Sequence, residues 1–315
     1  MRPIQIAAVF CVLTLSAAIS RAEDRTAETR ALAYLSHAVP DWPRRNRCHS
    51  CHNNGDAARA LYQAVRDGRS IEGAALDEND DWLRRPERWT DEKGEETFHD
   101  TKLARLQFTL ALSAAFHAGR IADGAPVRSA VEAVAEQQDA DGGWRLAPDV
   151  GPGSPTTYGR ALSTALIVDL LRDTDETRHR GRIERGRAWF LARPVVSVLD
   201  ASSTLLVLGS RSGKEVEAKR RQALGILREG RSGDGGWGLY PNDPPTVFDT
   251  AIALLALDRL RDAPDGWIAA GRGFLRTFQD DDGSWPETTR PSGGVSYAQR
   301  VSTTAWAFLA LEATR

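Results

Sequence analysis

Residues 48–52 read Cys-His-Ser-Cys-His, two thiols three positions apart with a histidine directly after the second. That spacing suits a covalently attached c-type haem. Two sulfurs reach the two vinyl groups, and the adjoining His52 reaches the iron from one face. Two other chemistries use the same atoms. Oxidation would join Cys48 to Cys51 as a structural or redox disulfide, leaving no cofactor, and zinc would take both thiols with His49 or His52 and one more ligand. Met1 is the only methionine, so none follows the motif to cap an iron. A sixth ligand would then be a histidine, or the position would stand open. His99 is the candidate, making His52 and His99 the metal pair, with His37 second in line; the competing reading sets His99 beside a helix cap made by Thr97 or Asp100. His117 and His179 read as helix-end residues. Arg44, Arg45 and Arg47, beside Trp42, form a basic flank suited to haem propionates.

A second polar set recurs at the starts of apolar segments: Asp56, Asp100, Asp200 and Asp249, with Tyr158, Arg160, Tyr297 and Arg300 near equivalent places. If these converge on a cavity they form a polar site for a ligand or a metal. The alternative is capping, because Asp is favoured in a helix's first turn. The Asp- and Gly-rich runs at 139–143 and 280–283 lack the twelve-residue ligand spacing and terminal Glu of a calcium loop and read as turns. Lys219-Arg220-Arg221 reads as a solvated helix face.

The elements that must position these residues repeat. Gly-Trp turns end at Trp144, Trp237 and Trp285, the last two 48 residues apart and the first two 93, close to twice that. An amphipathic helix precedes each turn, over 126–137, 215–229 and 266–278. A helix apolar almost all round follows, at 163–171, 249–257 and 303–311. Weaker copies pair 180–192 with 200–209, a loop around residues 77–89 with 98–116, and 26–38 with 55–66. Six hairpins, charged helix outside and apolar helix inside, predict an all-α (α/α)6 toroid; the alternative is an open arc.

With 41% hydrophobic and 27% charged residues the composition is ordinary for a soluble chain, apart from 9 Trp against 5 Tyr. The net charge of −2 gives no basic excess for phosphates, so a nucleic-acid partner is not expected. Residues 1–22 read as a signal peptide: Arg2, an apolar run over 4–18, and small residues Ser20 and Ala22 before a cut. Removal leaves Cys48 and Cys51 as the sole cysteines of a domain over 23–315, periplasmic or extracellular, with no transmembrane span expected after it.

Three segments carry a family resemblance. Gly271, Phe274, Leu275, Gln279, Gly283 and Trp285 follow the QW repeat of squalene and oxidosqualene cyclases. Ala130, Ala133, Val134, Gln138, Gly142 and Trp144 repeat it, as do Ala223, Ile226, Leu227, Arg231, Gly235 and Trp237 with Arg for Gln. The chain therefore resembles the squalene-cyclase and protein-prenyltransferase toroid superfamily over residues 24–315. The resemblance implies an (α/α)6 barrel with a cavity at one mouth, and Gln and Trp side chains that tie each outer helix to the next turn. Its chemistry departs here. Cyclases of that family protonate an alkene with the middle acid of Asp-x-Asp-Asp-Thr-Ala, whereas this chain reads Val247-Phe248-Asp249-Thr250-Ala251 and puts Phe248 at the protonating position. The family's triterpene enzymes carry two toroids, and its prenyltransferases a zinc set that this chain lacks. The expected function is an exported toroid with a c-type haem in electron transfer or sensing, with a redox partner or small molecule still to be identified. The alternatives are an enzyme acting on an isoprenoid or glycan in the ring, or a cofactor-free binding or scaffold module.

Overall fold

The structure, a computed structural model, describes residues 27–89, 101–146, 151–290 and 293–315; the leader over 1–22, His99 and Asp100 lie outside them. Helix α1 covers 27–46, and a π-helical turn, Cys51–Ala57, runs straight into α2 (Ala58–Arg66). Then come α3 (Asp77–Leu83), α4 (Thr101–His117), α5 (Ala125–Ala135), α6 (Gly159–Ala192), α7 (Val198–Leu208), α8 (Lys214–Glu229), α9 (Val247–Asp258), α10 (Trp267–Thr277) and α11 (Tyr297–Ala313). Among the described residues there is no strand, only isolated bridges from Trp237 to Arg231 and Thr246, and no helix is long and apolar enough to cross a membrane.

Apolar patterning sorts the helices into two layers. Helix α8 buries only Ala223 and Leu227, whereas its partner α9 buries nearly every residue. A helix apolar on all sides must be covered on all sides, and α2, α4, the first half of α6, α7, α9 and α11 satisfy this by packing on one another in that order. Helix α11 then packs on α2 and on the π turn, so the inner layer closes. The third inner and fourth outer helices are fused in α6, with a break at Asp175 (φ −162°, ψ 85°). The Asp175 carboxylate accepts from the Arg178 N–H at 2.9 Å and so caps the second half.

The outer layer closes through the repeated turn. Each indole N–H donates ten residues back, Trp144 to Val134 (3.0 Å), Trp237 to Leu227 (2.8 Å) and Trp285 to Leu275 (2.6 Å). Each tryptophan's main-chain N–H donates to a threonine of the following inner helix, Thr164, Thr250 or Thr304. Gly142, Gly235 and Gly283 hold φ of 97°, 92° and 87°, and a Cβ at any of them would land on the backbone of the next outer helix, at Arg185, Ala270 and Arg30 respectively. Gln138 donates to the Arg182 carbonyl of the next outer helix, and Gln279 donates to that of Ala27. The last turn thus grips the first helix as the others grip their successors.

The first hairpin departs from the sequence expectation at both ends. Helix α1 runs past Pro40 and Pro43 to residue 46 rather than stopping near 38. Pro43 has no N–H to give the Val39 carbonyl four residues back, and the Asn54 side-chain amide supplies it at 3.2 Å. The inner helix starts at Cys51, not 55, because Ser50 caps it by accepting from the His52 and Asn53 N–H groups.

Candidate functional site

The Cys-x-x-Cys-His motif spans the end of one helix and the start of the next. Cys48 lies in the link after α1, and Cys51 and His52 open the π turn; neither cysteine is in a disulfide, and both are partly exposed. The run Asn53-Asn54-Gly55-Asp56 fixes this turn. Asn53 donates from its amide to the Ala38 carbonyl (2.8 Å) and to the Tyr297 hydroxyl (3.0 Å). Gly55 lets α4 cross at contact distance, since a Cβ there would sit 2.9 Å from that of Gln107. His49 lies flat on Trp82 of α3, with centroids 4.2 Å apart.

The approach of α4 and α11 builds a buried polar cluster under the motif. Asp56 is 1% exposed. Its Oδ2 accepts from Gln107 Nε2 (2.7 Å) and Ser302 Oγ (2.8 Å), and its Oδ1 from the Tyr158 hydroxyl. Burial raises the Asp56 carboxyl above its ordinary range, against the pull of Arg59 and these three donors. Burial also pushes the Tyr158 phenol well up, and Tyr158 itself is held at φ 60°, a region side-chain-bearing residues seldom occupy. Ser302 Oγ stands 3.0 Å from His52 Nδ1, with Gln107 Nε2 3.4 Å from the same nitrogen. A serine that gives its hydroxyl hydrogen to Asp56 can accept the Nδ1–H of His52 on the same oxygen, the tautomer that leaves Nε2 with its lone pair; the Gln107 amide, a donor, suits the other tautomer. Burial lowers the His52 pKa to about 4, so the ring is neutral near pH 7.

The other sequence candidates go elsewhere. Asp200 and Asp249 sit at the third position of α7 and α9, where Ser197 and Thr246 accept from their N–H groups. Asp200 pairs with Arg193 at 2.8 Å. Asp249 is fully buried and takes a two-pronged pair from Arg290 at 2.6 and 2.7 Å. Capping by Ser197 and Thr246 plus ion pairing accounts for the placement of both. Arg160 grips Asp139 and Asp141, and Arg300 grips Asp280 and Glu287: each ties a repeated acidic turn to its inner helix. Tyr297 stays on the rim, 45% exposed and stacked on Trp42. His37 is exposed on α1, and His179 is buried on the second half of α6. Among the described residues no three His, Cys, Asp or Glu side chains are grouped as a metal set. A groove of about 640 Å³ lies on the outer wall between α5 and α6, lined by Arg128, Glu132, Arg178 and His179, away from the motif.

Gln107 and Ser302 were not legible as site residues, since each is an isolated polar residue in an apolar helix. The one signal available was that polarity: a Gln and a Ser on helices otherwise apolar all round need buried partners.

No protein-family model matches the chain, and no curated protein does. Solved structures share its fold. The type II terpene cyclase MstE from Scytonema superposes with a TM-score of 0.58 at 15% identity, over 92% of this chain and 97% of that one. A protein from Actinoplanes gives 0.58 at 19%, over 92% and 99%. The ent-copalyl diphosphate synthase from Streptomyces platensis gives 0.52 at 21%, over 81% of this chain and 50% of its own. At these identities the likeness establishes a terpene-cyclase-like toroid fold.

Proposed function

We propose that this chain is an exported toroid protein carrying a c-type haem on Cys48 and Cys51, with His52 as axial ligand, in electron transfer or sensing. The observation that carries the reading is the setting of His52: a neutral imidazole following two cysteines that form no disulfide, its Nδ1 beside Ser302 and its Nε2 available as the donor atom. A histidine that binds metal ordinarily gives its other N–H to a fixed acceptor, which sets tautomer and ring orientation. Held by Cys48, Cys51 and His52, haem would supply a one-electron couple. Cys48 and Cys51 would hold it covalently, and Asp56, through Ser302, would keep the imidazole aimed. Expression with haem-maturation machinery and export, followed by intact mass and a pyridine haemochrome spectrum, tests this directly. One haem added to the mass and a haemochrome lost in Cys48→Ala/Cys51→Ala are expected. A colourless protein two hydrogens lighter would mean a disulfide instead, and a metal released on denaturation would mean zinc.

A second reading rests on Asp56. It is a buried carboxyl held toward its protonated form inside a ring of terpene-cyclase-like fold. The position that the cyclase motif assigns to the proton donor is Phe248, and the retained Asp249 is locked to Arg290, so proton-initiated cyclisation would have to use Asp56. Incubation with a polyprenyl substrate separates the two readings: product from the wild type and none from Asp56→Asn would favour the enzyme.

A further inference from the structure

The interior carries a cation with no hydrogen bond to a side chain or carbonyl among the described residues. Arg59 of α2 lays its guanidinium over the ring of Trp306, 4.2 Å from the centroid. Trp306 in turn meets Tyr158 and Phe248 edge-on, at 5.6 and 6.1 Å, so side chains from four hairpins come together there. Among the described residues Arg59 has no hydrogen bond and no ion pair, and its Nε is buried. Asp56, one turn earlier, feels the charge of Arg59 but gives it no hydrogen bond, because both carboxylate oxygens accept from Tyr158, Gln107 and Ser302. Arg160 and Arg300, near the starts of α6 and α11, are each paired with carboxylates.

The second observation is Trp306 itself. It is 2% exposed, and its indole N–H is buried with no acceptor. The three repeat tryptophans all place theirs on a carbonyl. A guanidinium and an indole N–H are donor-only groups, and a buried donor left unpaired is costly. Two of them stacked on one another call for an acceptor, and beside a full positive charge the acceptor that fits is an oxyanion.

We propose that Arg59 and Trp306 form an oxyanion-binding site in the interior that takes a carboxylate of a small organic ligand. The carboxylate comes from one of two sources: a propionate of a tetrapyrrole attached at Cys48 and Cys51, or a separate organic acid that enters the ring. The site itself stands whether or not the motif carries haem. The test titrates benzoate, with inorganic phosphate as competitor, by ligand-observed NMR into the full chain expressed with haem-maturation machinery and into Cys48→Ala/Cys51→Ala. Binding to the double variant alone assigns the site to a propionate; binding to both assigns it to a separate acid. In either case Arg59→Gln raises the Kd at least tenfold and Trp306→Phe, which deletes the donor and keeps an aromatic ring, raises it severalfold. Arg59→Lys retains measurable binding, and far-UV circular dichroism with thermal midpoints checks that each variant is folded. No binding to either protein at millimolar benzoate, or a Kd that Arg59→Gln leaves unchanged in folded protein, overturns the proposal. Haem content is read independently from the intact mass, so a colourless protein that still binds benzoate through Arg59 rejects the haem and keeps the site.

Discussion

Ser302 joins the two groups that matter most at the motif, giving its hydroxyl hydrogen to Asp56 and facing His52 Nδ1. Its replacement by Ala leaves a buried carboxyl with two donors instead of three and the imidazole without its anchor. Ser302→Ala should cost about 1–3 kcal/mol in chemical denaturation, the penalty for an unmet buried polar group; Ser302→Thr, which keeps the hydroxyl, should cost less, and an Ala variant as stable as the wild type would show that the bridge is absent. His52 adds a pH dependence. Its folded pKa of about 4 lies below the ordinary 6.5. Between those values the unfolded chain binds a proton that the folded chain refuses, so stability falls as pH drops from 6.5 toward 4 and its contribution is complete above 6.5. Burial lowers His179 in the same direction. The diagnostic is therefore the difference between haem-free wild type and His52→Gln: acid titration of the variant should show a shallower loss across that window, and parallel curves would contradict the buried setting of His52.

At the scale of elements, the Gly-Trp turn couples two neighbouring outer helices. Gly283 has φ 87°, and a Cβ there would meet the Arg30 backbone of α1. Gly119, after α4, has φ 73° and open space around it. Alanine at 119 carries only the left-handed backbone penalty, about 1–2 kcal/mol. Alanine at 283 adds overpacking of about 1–3 kcal/mol where the ring closes. Thermal unfolding of Gly119→Ala and Gly283→Ala should separate them clearly, and equal losses would mean that the last turn does not seat on α1. The same scale explains what was legible. Trp144, Trp237 and Trp285 show their period because a turn that must bond ten residues back and grip the next helix admits few residue types. Asp200 and Asp249 left two readings open in the sequence, a first-turn place or a cavity; they stand third in their helices, behind the caps Ser197 and Thr246. The extension of α1 through two prolines was not legible, because its compensation comes from Asn54 in the next helix.

Ring closure is the property of the whole molecule, and a buried charge cluster holds its seam. Glu28 of α1 and Glu312 of α11, each with 1% of its side chain exposed, both pair with Arg69, and Arg272 of α10 lies 3.8 Å from Glu28. Taking away one member leaves uncompensated charge. Arg69→Ala should cost about 3–5 kcal/mol, measured by guanidinium denaturation. Arg69→Met/Glu312→Gln, which removes that buried pair and leaves Glu28 with Arg272, should recover part of that loss. A null effect of Arg69→Ala would mean that the first and sixth hairpins are held by apolar packing alone.

The sequence by itself determined the two-layer repeat, the number of hairpins and the place of the paired thiols, because each is written in local periodicity: apolar spacing decides which helix is buried, and a turn's glycines and tryptophan decide where it bends. It also put Asp56 and Tyr158 among the candidates. Only the tertiary structure decided that these two meet, that Asp249 and Arg300 are spent on ion pairs, and that Gln107, Ser302 and Trp306 belong to the interior. Ser302 and Asp56 are 246 positions apart. No local pattern encodes that separation: the two become neighbours because the sixth hairpin packs on the first, and the energy that brings them together is spread over the apolar faces of the whole ring.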